Sequence, residues 1–305
     1  MDDRFLVFKT VADKKSFSQA AKHLHLSQPA ISLQIQSLEE FYGTKLFDRT
    51  NKRVVLTEAG RILYEYVEQF TELHEQAKKS ISEATGMVKG RLHLGATLTI
   101  GEYLLPKVIG LFVKDHPNVN FSMVIANTEQ IMQKLLENNL DLGVIEGPVD
   151  HPNLIKEEFL RDELVIIVPP AHPWAKRKEI ELNELLQESL ILRESGSGTR
   201  MVMEARLKET GVDPAKIKIA MELGSTQSVK EAVLSGLGIS IVSACTIQRE
   251  IKFGLLKVVR IKNVRFPRSL NIFYNKNKFR TVTVDAFLEL LRSSAIKKML
   301  ELPLD

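Results

Sequence analysis

Short amphipathic stretches crowd the first 45 residues, and the pair Ala20-Ala21 among them sets how closely their backbones can cross. Phe5, Phe8, Val11 and Ala12 form one apolar stripe at helical spacing, and a second helix starting near Ser18 buries Phe17, Ala20, Ala21 and Leu24. Adjacent alanines carry almost no side-chain bulk, which permits the tight crossing of a helix-turn-helix. His25 and Leu26 make the turn. Ser27 is the expected N-cap of a third helix, and Pro29 falls in its first turn, where N–H groups have no intrahelical partner.

The third helix, Gln28 to Phe41, resolves into two faces at about 100° per residue. Ile31, Ile35 and Leu38 share a narrow arc and are expected in the core. Pro29, Ser32, Leu33 and Gln36 point the other way, forming a short, uncharged face that can approach base edges. Beyond Gly43, the stretch Thr44–Leu56 sets Lys45, Arg49, Lys52 and Arg53 against Asp48, with Thr50-Asn51 as the hairpin tip. A basic ribbon after such a helix suits phosphate or minor-groove contact.

From Phe8 to Gly60 the sequence resembles the N-terminal domain of the LysR-type transcriptional regulators. The matching words are Ser16-Phe17-Ser18-Gln19-Ala20-Ala21, Leu26-Ser27-Gln28-Pro29-Ala30-Ile31-Ser32, Ile35, Leu38-Glu39, Gly43, Leu46-Phe47, Arg49 and Leu56-Thr57-Glu58-Ala59-Gly60. The resemblance implies an all-α winged helix-turn-helix over residues 1–58. Its expected DNA contacts are Ser18, Ser27, Gln28, Pro29, Ser32, Leu33 and Gln36, with Arg49, Lys52 and Arg53 on the backbone. Leu33 departs from the family, which often has a basic residue there.

Thr57 and Glu58 open a long helix, assigned here with residues 59–89 as a linker. Ala59, Leu63, Tyr66, Phe70, Leu73, Ala77 and Ala84 recur at alternating spacings of four and three, apart from a break at Ser80. That pattern describes a coiled-coil seam and hence a homodimer, which two DNA half-sites require. The resemblance adds a homotetramer built from two dimers.

From Gly90 onward short apolar runs alternate with helical ones, as expected for an α/β domain with parallel sheets and helices on both faces. The segment resembles the family's bilobed, periplasmic-binding-protein-like effector domain. One lobe is expected from residues 90–161 and 267–300, the other from 162–266, with two crossover strands and an effector cleft between them. Candidate effector contacts are Thr97, Thr99, Ile100, Thr128, Glu146, Ser197, Thr199 and Thr226, with Asn127, Ser225, Gln227 and the countercharge Arg200 as further candidates. Thr97, Thr99 and Thr199 match positions that hold sulfate in the cysteine-biosynthesis branch, whereas Ile100 replaces a polar residue of that branch. A sulfate-like anion or sulfur metabolite is therefore the expected effector, with no cofactor. Glu146 acts against a second negative charge or receives an amine.

An enzyme carrying an appended DNA-binding domain is the alternative. Gly196–Thr199 lacks the lysine of a phosphate-binding loop, and Gly196-Ser197-Gly198 has the wrong spacing for a nucleophile elbow. His23 and His25 are two apart, which is wrong for one metal-binding helix face. Cys245 is the one cysteine, so no intrachain disulfide is possible, and a small buried hydrophobe is its expected role. The net charge of +4 is too mild to argue nucleic-acid binding alone. No signal peptide or membrane-spanning run is expected, which points to the cytoplasm. The implied partners are promoter DNA, the effector and RNA polymerase, with either activation or repression as the outcome.

Overall fold

The computed structural model describes residues 2–50, 53–85 and 87–300, without the side chains at 49, 50, 53, 75, 79, 82 and 83. The chain divides into two compact units, Met1–Gly86 and Met87–Asp305.

In the first unit, α1 (Asp3–Lys14), α2 (Phe17–Leu24) and α3 (Gln28–Tyr42) each begin at a side-chain cap. Asp2 accepts from Arg4 N, Ser16 from Gln19 N, and Ser27 from Ala30 N. The second helix thus starts at Phe17, one residue before the expected Ser18, with Ser16 as its cap. Phe8, Val11, Ala20, Ile31, Ile35 and Leu38 form the core, where Phe47 lies 5.2 Å from Phe8 and 5.8 Å from Phe17 between ring centroids. Strands β1 (Phe47–Thr50) and β2 (Arg53–Leu56) make the antiparallel wing.

Helix α4 (Glu58–Thr85) starts where Thr57 Oγ1 accepts from Gly60 N at 3.0 Å and donates to Lys45 O at 2.7 Å. A Cβ on Gly60 would stand 2.1 Å from Leu46 O, so only glycine lets the helix enter this close to the wing. The single seam expected on this helix is split. Leu63 and Val67 belong to the unit's own core, while Tyr66, Phe70 and Leu73 are more than half exposed, as are Ile62 and Ile81. A straight helix drifts away from a 3.5-residue repeat, so its first turns serve the domain and the following ones face outward.

The second unit opens with β3 (Gly90–Thr97), α5 (Leu98–Tyr103), α6 (Leu105–Asp115), β4 (Val119–Ala126), α7 (Thr128–Leu136) and β5 (Leu142–Glu146). The long strand β6 (Leu154–Val168) crosses into a second lobe made of β7 (Glu179–Ile180), α8 (Leu182–Leu185), β8 (Ser189–Arg193), α9 (Gly198–Glu209), β9 (Lys218–Leu223), α10 (Thr226–Leu234), β10 (Ser240–Ser243), α11 (Gln248–Lys252) and β11 (Lys257–Ile261). β12 (Phe266–Asn275) returns to the first lobe, which α12 (Val282–Arg292) and α13 (Ser294–Leu300) complete.

The first lobe's strands run in the order β4-β3-β5-β12-β6. β3 is parallel to β4 and β5, but β12 is antiparallel to both β5 and β6. In the second lobe the far end of β6 pairs antiparallel with β10 and β11, while β8 pairs parallel with β9. The large sheet is therefore mixed rather than parallel, because both crossover strands run through it. The crossover brings Arg268 opposite Asp162 and Pro267 opposite Glu163. Each lobe keeps its own core, around Leu94, Phe112 and Phe287 in one and Leu164, Trp174 and Met203 in the other. Among the described residues no helix is long and apolar enough to cross a membrane.

Candidate DNA-reading face and interlobe site

Burying Ile31, Ile35 and Leu38 turns the opposite side of α3 outward. Gln28, Pro29, Leu33 and Gln36 are exposed, and Ser32 is half-buried. Gln36 Nε2 donates to Glu40 Oε1 at 2.9 Å, which steadies its amide along the helix. Ser27 Oγ is engaged as the helix cap, and exposed Ser18 lies 3.2 Å from Ser16 between hydroxyl oxygens.

Glu39, which sequence inspection passed over, is buried and receives Leu46 N at 3.0 Å, Phe47 N at 3.4 Å and Lys45 Nζ at 2.7 Å. Burial acts to raise its pKa, but the Lys45 ammonium and the two N–H groups outweigh that and hold it below the ordinary value. Lys45, counted above among the basic residues of the wing stretch, is thus paired with Glu39. Lys52 and the side chains of Arg49 and Arg53 lie outside the described residues.

The second concentration of polar groups forms where the lobes meet. Thr97 ends β3, Thr99 lies in α5, and Glu146 ends β5; all are buried. Thr97 Oγ1 donates to Glu146 Oε2 at 2.6 Å, and Thr99 Oγ1 donates to Oε1 at 3.1 Å. Thr128 Oγ1 donates to the Glu146 backbone oxygen at 2.8 Å. Arg268 on β12 reaches the same carboxylate, with Nη1 3.6 Å from Oε1.

Arg268 also donates through Nε to Asp162 Oδ2 at 2.7 Å and through Nη1 to Thr199 Oγ1 at 3.1 Å. One guanidinium thereby links the crossover strands, lobe I through Glu146 and lobe II through Thr199. Burial works against its charge, but Asp162 and Glu146 more than compensate and keep it protonated. Ser243 Oγ donates to Asp162 Oδ2 at 2.7 Å as well. Ser197 Oγ and Asp162 Oδ1 are buried without a hydrogen-bond partner.

The structure therefore gathers Thr97, Thr99, Thr128, Glu146 and Thr199 into one network, with Ser197 beside Thr199's helix start. The other candidates lie outside this network and have partners of their own. Ile100 is fully buried in the first lobe's hydrophobic core, and Thr226 accepts from Arg193 Nη1 at 3.0 Å. Arg200 is tied to Glu204 at 2.7 Å and to Glu222, and the cation that reaches Glu146 is Arg268. Asn127 and Ser225 cap α7 and α10, and Gln227 bonds Glu231 at 2.8 Å. Arg268 gave no local signal, since its role arises from pairing with Asp162, 106 residues away.

On one side of Arg268 opens a cavity of about 710 Å³, lined by Gly147, Lys156, Val202, Arg206 and Asn271 as well. A second tie between the lobes places Lys230 Nζ 5.2 Å from the Tyr103 ring centroid, where it also donates to Thr246 O at 2.9 Å and to Glu250. Cys245 is buried, and burial together with the Asp162 charge pushes its thiol up to about 12, so it stays protonated at neutral pH.

Comparison with known proteins supplies the context for both sites. The profile described as LysR substrate binding domain matches residues 85–295, and that of the bacterial regulatory helix-turn-helix protein, lysR family, matches residues 3–61. A probable RuBisCO transcriptional regulator of Cyanophora paradoxa is 36% identical over 290 residues, covering 94% of this chain and 90% of its own. The HTH-type transcriptional regulator CysL of Bacillus subtilis (strain 168) is 34% identical over 299 residues, covering 98% and 99%. Among solved structures, the regulatory domain of CcmR from Synechocystis PCC6803, in complex with 2-PG, superposes with a TM-score of 0.63 at 30% identity, over 69% of this chain and 98% of that one.

Proposed function

Because the chain belongs to the LysR family of DNA-binding transcriptional regulators, we propose that it reads a promoter through α3 and the wing, and senses a small oxyanion where its two effector-domain lobes meet. The observation that carries the sensing is the convergence of Thr97, Thr99, Thr199 and Arg268, from both lobes and a crossover strand, on one buried junction. Arg268 and the Thr199 hydroxyl favour an anionic group and orient it, while Thr97 and Thr99 hold Glu146 in place beside it. The 2-PG complex of the CcmR domain and the likeness to CysL support a small metabolite, and a sulfur oxyanion remains within that class.

In this reading Ser18, Ser27, Gln28, Pro29, Ser32, Leu33 and Gln36 meet the duplex, and Arg49, Lys52 and Arg53 hold its backbone. The exposed apolar stripe of α4 joins two chains, so paired α3 helices enter successive major grooves. Effector binding shifts the population between two arrangements of the assembly, since the ligand binds them unequally, and thereby alters contact with RNA polymerase. The protein acts in the cytoplasm and has no catalytic role.

Titrating operator DNA at several salt concentrations tests the reading. Arg53→Ala weakens binding to all sequences and lowers the salt slope by about one, whereas Gln36→Ala relaxes base preference at unchanged slope. Altered preference with the slope intact in Arg53→Ala would overturn the wing assignment.

A further inference from the structure

Glu146 lies at the proposed interlobe site and is 1% exposed, with the Thr97 and Thr99 hydroxyls at 2.6 and 3.1 Å from its carboxylate. Arg268 is shared between this carboxylate and Asp162, so the network holds two acidic groups against one guanidinium. A seat of that charge is poorly matched to an ion carrying only acceptors. Its bare oxygens would face the Glu146 oxygens with no hydrogen between them, in a site where water cannot screen the repulsion.

The unfilled hydrogen-bonding capacity nearby is of both kinds. Ser197 Oγ can donate and Asp162 Oδ1 can only accept, and both are buried without partners; Arg268 Nη2, 2.7 Å from Asp162 Oδ2 as an ion pair, completes no hydrogen bond either. A ligand that completes the set therefore brings an acceptor and a donor together. Building on the proposed interlobe effector site, we infer that Glu146 is a specificity-determining acceptor, and that the effector is an oxyanion that retains an O–H group. Its hydroxyl donates to Glu146 while its charged oxygens take the Thr199, Ser197 and Arg268 donors, and Thr97 and Thr99 stay on the Glu146 carboxylate. Hydrogen bonds to a carboxylate are short and strong, and a site built around a ligand hydroxyl rejects isosteres that lack it. Sulfate, the ion implied by the family resemblance, is excluded on this account.

Calorimetric titration of the full chain at neutral pH tests the inference with two shape-matched pairs. Inorganic phosphate and sulfate are both tetrahedral, but only phosphate bears O–H; hydrogencarbonate and nitrate are both planar, and only the former does. Each hydroxylated ion is expected to bind at least about 100-fold tighter than its counterpart. Glu146→Gln, which offers an N–H donor as well as an acceptor, should bring sulfate to within a few-fold of phosphate. Glu146→Asp keeps the preference and serves if the glutamine variant does not fold.

Equal binding of sulfate and phosphate by the wild-type chain overturns the inference and leaves the effector site standing. So does failure of all four ions when a small metabolite that carries no hydroxylated oxyanion group binds. If no small molecule of any class binds, the effector-site reading itself falls.

Discussion

Gly198 meets Glu146 so closely that a Cβ on the glycine would stand 2.3 Å from the Glu146 carbonyl oxygen and 2.6 Å from its Cγ. The first turn of α9, in one lobe, is thus packed against the end of β5, in the other, with room for a hydrogen and no more. Gly198→Ala must part the lobes or bend the backbone of β5. If the effector is held between closed lobes, this variant should bind it at least about tenfold more weakly, a loss of roughly 1.4 kcal/mol. DNA binding without effector should be unchanged, because Gly198 lies outside the DNA-reading unit. Calorimetry and DNA titration on the same preparation check both halves, and undiminished effector binding would rule out closure at Gly198.

How far such relationships can be read from sequence depends on their range. The caps at Ser27 and Thr57 and the apolar arc Ile31, Ile35 and Leu38 are local, and the structure bears them out. Strand β6 was legible only at its apolar end, Leu164–Val168, because Lys156, Glu157, Glu158 and Arg161 break the apolar run earlier along it. Arg268 was silent and Lys45 read only as a basic residue of the wing stretch, since a charge's partner depends on which elements pack together. Sequence shows which groups are chargeable, and tertiary structure decides which are already neutralised.

The Glu39 carboxylate gives one such pairing a pH signature. Its pKa in the folded protein lies below the ordinary 4.5, so its contribution to stability is fully present above that value and is lost as pH falls through the folded pKa. Thermal unfolding of the DNA-reading unit should accordingly show an acid limb that is shallower in Glu39→Gln. Glu39→Ala, which strands the Leu46 and Phe47 N–H groups, should cost roughly 2 kcal/mol at neutral pH. An unchanged acid limb in the glutamine variant would mean that other carboxylates dominate it.

Leu73 is 64% exposed on α4, and Phe70, one turn earlier, stacks on Phe5 with ring centroids 6.3 Å apart. Substituting Leu73 therefore perturbs the helix face without touching that stacked pair. Leu73→Glu should leave monomer stability within about 0.5 kcal/mol of wild type while placing a charge in the proposed seam. Sedimentation equilibrium should show a shift toward monomer, and affinity for a two-half-site operator should fall far more than affinity for a single half-site. A variant that stays dimeric would move the seam to another face of α4.

Arg268 supports the interlobe network by neutralising groups that could not otherwise remain buried together. Arg268→Met keeps much of the side-chain volume but leaves Asp162 and Glu146 without their cation, at an expected cost of about 3–5 kcal/mol. Adding Asp162→Asn removes one of the two stranded charges and should recover part of that loss, so the two substitutions are non-additive. Trp174 is the chain's one tryptophan and is buried in the second lobe, so its fluorescence follows this unit during urea unfolding without interference from other indoles. If the double variant is no more stable than Arg268→Met alone, the guanidinium acts by packing rather than by charge. In that case the effector should bind Arg268→Met nearly as well as wild type. If charge dominates, the single variant loses effector binding along with stability, and the double variant regains stability without regaining the guanidinium that would hold an anion.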